Sequence, residues 1–168
     1  MKIVVLGCKD YPPFKYGRDV GGLEVFLYNI LPILKNHQFL IVTRKYGNAK
    51  KYENIESVDV YRVNFVNLSL FKTISFNFLA FFLLLNKKYD LIWAHEPVAG
   101  FFAFFLSVIK RKPYLLHIHS NGSYEPGPFS RKIGLKILET ISFVHPKKVI
   151  YVSEKLKQRF KVPGIIVP

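Results

Sequence analysis

Apolar residues occur along this chain in blocks that alternate between two periods. Ile3-Val4-Val5-Leu6-Gly7 is a short β-branched run ending in glycine, the pattern of a buried parallel strand. Beyond a proline-containing loop, Leu23, Phe26, Leu27, Ile30, Leu31 and Leu34 recur at the spacing of one helix face. Pro32 lies inside that pattern and is expected to kink or shorten the helix. Asn36, in the turn Asn36-His37-Gln38, is expected to close it as a left-handed cap. Phe39 to Thr43 predicts the next strand. Tyr46 to Asp59 is polar and irregular, and Val60 to Phe65 alternates like a half-exposed strand.

Phe71 to Leu85 has helical length and is strongly apolar. Tyr89 to Glu96 predicts a strand that ends in polar groups, and Val98 to Ile109 a second strongly apolar helix. Tyr114 to His119 predicts a strand, followed by the loop Ser120-Asn121-Gly122. Phe129 to Val144 predicts an amphipathic helix with Phe129, Ile133, Ile137 and Ile141 in one row. Lys148 to Val152 predicts a strand, Ser153 a cap for a short helix to Phe160, and Ile165 to Val167 a last strand.

Strands alternating with helices predict an α/β fold, a Rossmann-like doubly wound sheet in three layers, mostly parallel and forming a single domain. Ligands of such sheets sit outside the carboxyl ends of the strands. Gly21-Gly22, His95-Glu96 and His119 to Gly122 all fall on that rim. The paired glycines stand where the first helix begins, so free N–H groups and the helix dipole can meet an anion such as phosphate. A tight turn with no ligand explains the same two glycines, and both readings stay open at this level.

Composition changes the picture in one respect. The 168 residues are 50% hydrophobic, which excludes disorder, and suffice for one core. The charge is unusual: 25 Lys and Arg against 11 Asp and Glu give a net +14. The bases fall in clusters (Arg44-Lys45, Lys50-Lys51, Lys87-Lys88, Lys110-Arg111-Lys112, Arg131-Lys132 and Lys147-Lys148) at the edges of apolar segments. Solvated helix ends account for their positions but not for the scarcity of acids, which favours an anionic partner. Nucleic acid is not expected, because no aromatic-basic recognition motif is present. The two apolar helices fall short of the ~20 residues of a membrane span. They read as core helices, with room for one of them to dip into a membrane surface. Lone Cys8 forms no internal disulfide, and no secretory signal is evident. A cytoplasmic location is therefore expected, with peripheral association on the inner membrane face left open.

Candidate chemistry centres on histidines. His117 and His119 lie two apart on a strand and face one side. A metal is not expected there, since no Asp-His follows and no further ligand cluster is evident; one ring packed and the other at the rim is the expectation. His95-Glu96 at a strand end reads equally as a general acid or base and as a hydrogen-bonded turn. Ser120 has no nucleophile elbow around it. Neither a Walker loop nor a dinucleotide Gly-x-Gly-x-x-Gly is present.

Taken in order, several motifs resemble the amino-terminal domain of GT-B glycosyltransferases of the large retaining family 4. Tyr11-Pro12-Pro13, then Gly21-Gly22 and Glu24, is similar to that family's first loop. Asn36-His37-Gln38 resembles its Gly-His-Glu turn, and Asp90 to His95 its Asp-ϕ-ϕ-His-x-His strand with Trp93 at the first His. His119 before Ser-Asn-Gly, Val152-Ser153 at a helix start, and Ile166-Val167-Pro168 before an interdomain segment complete the likeness. The resemblance implies one half of a GT-B fold. It implies that Gly21 and Gly22 contact the diphosphate of a nucleotide-sugar donor and that catalytic His119 lies beside the transferred sugar. His95, Glu96, Asn121 and Gly122 would then face a sugar or lipid-linked acceptor. It implies no metal or other cofactor, and a carboxy-terminal donor-binding domain that is absent from this chain. The isolated chain is then expected to be folded but essentially inactive. The competing reading is a non-catalytic α/β module that binds an anionic ligand or membrane surface.

Overall fold

The computed structural model describes residues 1–15, 21–120 and 129–167. Its strands are β1 (Lys2–Leu6), β2 (Gln38–Arg44), β3 (Tyr52–Ile55), β4 (Val58–Val63), β5 (Leu91–His95), β6 (Tyr114–Ile118), β7 (Lys148–Tyr151) and β8 (Ile165–Ile166). The helices are α1 (Gly22–Ile30), α2 (Ser69–Leu85), α3 (Glu96–Lys110), α4 (Phe129–Ser142) and α5 (Glu154–Phe160).

The strands form one sheet in the order β3-β4-β2-β1-β5-β6-β7-β8. All neighbours are parallel except β3 and β4. The chain winds outward from β1 to β2 and β4, then returns through α2 to β5 on the other side of β1. The reversal lies between β1 and β5, the position at which an open α/β sheet leaves a crevice for ligands.

β1 shows why both faces are covered. Ile3 and Val5 pack with Leu27 of α1 and Leu31 just beyond it on one face, whereas Val4 and Leu6 pack against Ala80, Leu84, Ala103 and Leu106 of α2 and α3 on the other. Strands buried on both sides carry continuous apolar runs. Gly7 ends β1 with φ +98°, and a Cβ there would lie 2.3 Å from the carbonyl oxygen of His95. Only glycine permits β1 and β5 to end side by side at the crevice.

Three expectations need correcting. The polar stretch before Asp59 is not irregular: Tyr52–Ile55 forms β3, joined to β4 by a two-residue turn with Glu56 and Ser57 at φ +48° and +70°. That turn geometry suits a hairpin but normally advertises itself with Asn-Gly. Its edge strand is held by polar pairing instead, with Glu53 2.7 Å from buried Arg62 and both Tyr52 and Asn54 donating to Asp59. Asn36 is not left-handed; Pro32 shortens α1, which ends at Ile30 and passes into turns. In α4, Ile133 and Ile137 face outward, while Glu139 and Ser142 are buried. α4 packs closely on α3 at Gly100, where a Cβ would come within 2.8 Å of Ser142. The Ser153 cap is as expected, its Oγ accepting from the N–H of Leu156 at 3.3 Å.

Candidate functional site

The rim of the sheet at β1, β5 and β6 gathers the polar residues of the described chain. His95 and His117 are paired in register on neighbouring parallel strands, and His119 follows two residues on. His95 Nδ1 lies 3.0 Å from His119 Nε2, and the His117 and His119 rings are 4.1 Å apart at their centroids. The third histidine comes from the adjacent strand, which one-dimensional spacing does not reveal. His95 and His117 are buried and His119 is half-buried, so the expected split of the His117/His119 pair into a packed and a rim residue holds.

Burial keeps all three rings neutral. Desolvation pushes His95 well below the usual imidazole range, with His119 and His117 as further causes. Desolvation, then His119, brings His117 down to about 3, and desolvation brings His119 to about 4. Around neutral pH His119 is thus a hydrogen-bonding group and not a cation. The three rings offer nitrogens within 4.8 Å of one another, a span that a metal ion could close with side-chain shifts. Two of the rings, however, already spend a nitrogen on each other. Both His117 nitrogens and His95 Nε2 lack a hydrogen-bond partner among the described residues.

Two carboxylates hold the rim in place. Glu96, the first residue of α3, has φ +72° and precedes Pro97, a costly conformation of order 1–3 kcal/mol. Its Oε1 accepts from the His119 backbone N–H at 3.1 Å and its Oε2 from the Ser120 hydroxyl at 3.0 Å. Glu96 therefore fixes the end of β6, a role that sequence reading did not separate from a plain turn. Glu24 does the same for the first loop. Fully buried, it accepts from the N–H of Lys9 through Oε1 and of Gly21 through Oε2, both at 2.8 Å. A carboxylate three residues into a helix that reaches back to the cap position stabilises the helix start and fixes its entry angle.

α1 carries Gly21-Gly22 toward the histidines. Its Phe26 packs against His117 and His119 with ring centroids 5.6 and 5.8 Å away, and against Trp93 at 6.2 Å. On the other side of the sheet, α2, α3 and α4 enclose a cavity of about 810 Å³ that reaches Gly7, His95, Glu96 and Ser120. Its walls are largely apolar (Phe71, Ile74, Phe76, Val98, Leu135, Leu138), with Lys9, Arg44, Asn77 and Glu139 among them. Asn77 is fully buried. Its Nδ2 bonds the Thr73 carbonyl, while its Oδ1 has no partner among the described residues. That residue carried no signal in the sequence beyond being polar inside an apolar helix. Of the expected site residues, the structure brings His95, Glu96 and His119 together and connects Gly21 and Gly22 to them through α1. Asn121 and Gly122 lie outside the described residues.

Related proteins share this architecture. An uncharacterized glycosyltransferase of Methanocaldococcus jannaschii is 30% identical over 159 residues, which are 89% of this chain and 39% of that protein. Among solved structures, sucrose-phosphate synthase of Thermosynechococcus elongatus superposes with a TM-score of 0.75 at 19% identity, covering 99% of this chain and 47% of that one. HepE of Anabaena, in complex with UDP-glucose, gives 0.63 at 21% identity, with 98% and 41% covered. At such identities the structural likeness is one of fold. The chain spans less than half the length of each of these relatives. The profile of Glycosyltransferase Family 4 matches residues 20–163, from the Gly-Gly loop through α5, and the chain belongs to that family.

Proposed function

We propose that this chain forms the acceptor-side wall of a glycosyl transfer site that takes a nucleotide-sugar donor. The observation that carries the reading is the joining of three features at the crevice between β1 and β5: the α1 amino terminus with its two glycines, the neutral His95–His119 pair, and the cavity behind them. The donor diphosphate lies at the start of α1, where N–H groups and the helix dipole offset the negative charge that grows on the leaving phosphate. His119 spends Nε2 on His95, so Nδ1 is the ring nitrogen left to hydrogen-bond the transferred sugar. The acceptor enters the cavity beside Glu96 and Asn77. Its hydroxyl oxygen bonds the anomeric carbon as the bond to phosphate breaks, and its proton leaves with the nucleoside diphosphate. Transfer proceeds with retention and without a metal ion.

The chain spans less than half of each of those relatives, which supports a second domain that grips the nucleotide. By itself the chain is then folded but essentially inactive. The donor class is supported by HepE, a protein of the same fold found with UDP-glucose. Buried Cys8, a free thiol, accords with a cytoplasmic setting.

Amide correlation spectra of the chain, titrated with UDP-glucose, UDP and uridine, test the reading. Gly21, Gly22 and the His119 amide are expected to shift with the two diphosphate compounds and not with uridine. Silence at those amides would overturn donor binding at α1. Equal shifts with inorganic diphosphate, and no sugar transfer once the donor domain is supplied, would favour the module that merely binds anions.

A further inference from the structure

α2 is apolar on both of its sides. Phe76, Ala80 and Leu84 face the core. On the opposite side Phe71, Ile74, Phe78 and Phe82 follow one another at helical spacing and stand in solvent, Phe71 being 63% exposed, Phe78 49% and Phe82 50%. A surface helix ordinarily turns charge outward; α2 has no acidic residue and one basic residue, Lys72. α3 extends the surface at its last turns with Val108 and Ile109, and the Lys110 ammonium, donating to the Leu85 carbonyl at 2.8 Å, ties the two helix ends together. An apolar surface of this continuity marks a binding face.

Charge decides what covers it. Between Val66 and Lys112 stand Lys72, Lys87, Lys88, Lys110, Arg111 and Lys112, against Asp90 and Glu96 alone. Glu96 is engaged at the rim by His119 and Ser120, and exposed Asp90 accepts from the Lys2 N–H, which leaves the bases in clear excess. The apolar row from Phe71 to Phe82 is about 16 Å long, with Lys72 at one end and the two basic clusters beyond the other. Such a row, with cations at its ends, matches a helix lying in a bilayer interface with its bases at the level of lipid phosphates. A second copy of the chain, itself at +14, would bring like charges face to face. Among the described residues no helix is long and apolar enough to cross a membrane.

Phe71 and Ile74 belong both to this outer row and to the wall of the 810 Å³ cavity. We propose that the outer face of α2 and the last turns of α3 lie on an anionic bilayer, and that the cavity receives an amphiphilic acceptor laterally from it. The second half of this proposal rests on the reading of the cavity as the acceptor site; the first half does not.

Phe78→Trp places a reporter on the face, against the one natural tryptophan, Trp93. The chain is mixed with vesicles of phosphatidylcholine alone or with phosphatidylglycerol added, at low salt and at roughly 1 M, where the screening length falls to about 3 Å. Sedimentation with the mixed vesicles, a blue shift of the indole emission, and a part of the binding that survives high salt are expected. The variant Phe78→Ser/Phe82→Ser, checked for unchanged thermal unfolding, should lower the bound fraction on the order of tenfold. Binding without a blue shift, or binding wholly lost in salt, would overturn insertion. Failure to bind, with a concentration-dependent dimer that the same variant abolishes, would assign the face to protein contact instead. No arm needs a nucleotide-sugar. Transfer failing once the donor domain is supplied, while vesicles bind, breaks the functional reading alone, and the converse breaks only the membrane one.

Discussion

At the strand ends, Glu24 and Glu96 each use both carboxylate oxygens on specific donors, and each bond fixes a backbone position that the site depends on. On the outside of α2, Phe71, Phe78 and Phe82 stand half-exposed in an apolar row. The first region is built for position, since hydrogen bonds are directional and a misplaced buried partner is costly. The second is built for area, since apolar attraction is non-directional and scales with the surface removed from water. A fold that needed α2 only as a connector would have placed polar residues there. The contrast separates a region that must hold a geometry from one that must meet a surface.

The sharpest way to break the comparison is at Gly7. Gly7→Ala adds a Cβ 2.3 Å from the His95 carbonyl in a left-handed backbone, and is expected to cost about 3–5 kcal/mol. Urea unfolding reads it, and an unchanged midpoint would show that β1 and β5 can part without harm.

Acid should come next. The imidazole of an unfolded chain takes its proton near pH 6.5, whereas His119 and His117 in the fold do so near 4 and 3. Between those values the unfolded state binds more protons, so stability is complete above pH 6.5 and falls as pH drops toward 4. The loss should be on the order of 3 kcal/mol for each of the two rings. Denaturation curves at pH 7.5, 5.5 and 4.5 measure it, and His117→Asn should flatten the slope. A flat profile in the parent chain would mean the histidines are not held neutral.

The smallest effects sharpen the contrast most directly. Phe26→Ser, which strips the edge contacts on Trp93, His117 and His119, is expected to cost about 2 kcal/mol. Phe78→Ser, on the outer face, should cost under about 1 kcal/mol. Equal losses in thermal unfolding would make the outer row part of the core and remove the distinction.

The sequence by itself determined the alternation of strands and helices, the doubly wound class, and the rim on which chemistry falls. Those follow from local period and from the rule that strand ends face the ligand. Ser153 as a cap and Pro32 as a helix stop were legible for the same reason: each acts on its immediate neighbours. The hairpin of β3 was not legible, because Glu56-Ser57 lacks the usual turn residues and the strand is held by Glu53–Arg62 across the sheet. The outward row of α4 was hidden likewise, since a helical stripe says that one side is apolar and not what lies opposite. The His95–His119 bond, the hold of Glu24 on Lys9 and of Glu96 on His119, and the burial of Asn77 with no partner for its Oδ1 among the described residues were decided by tertiary structure alone. Each joins residues 24, 15 or 23 positions apart, or depends on burial. Directional bonds between strands and loops depend on which strand becomes whose neighbour, and that is a property of the sheet order and not of any one segment.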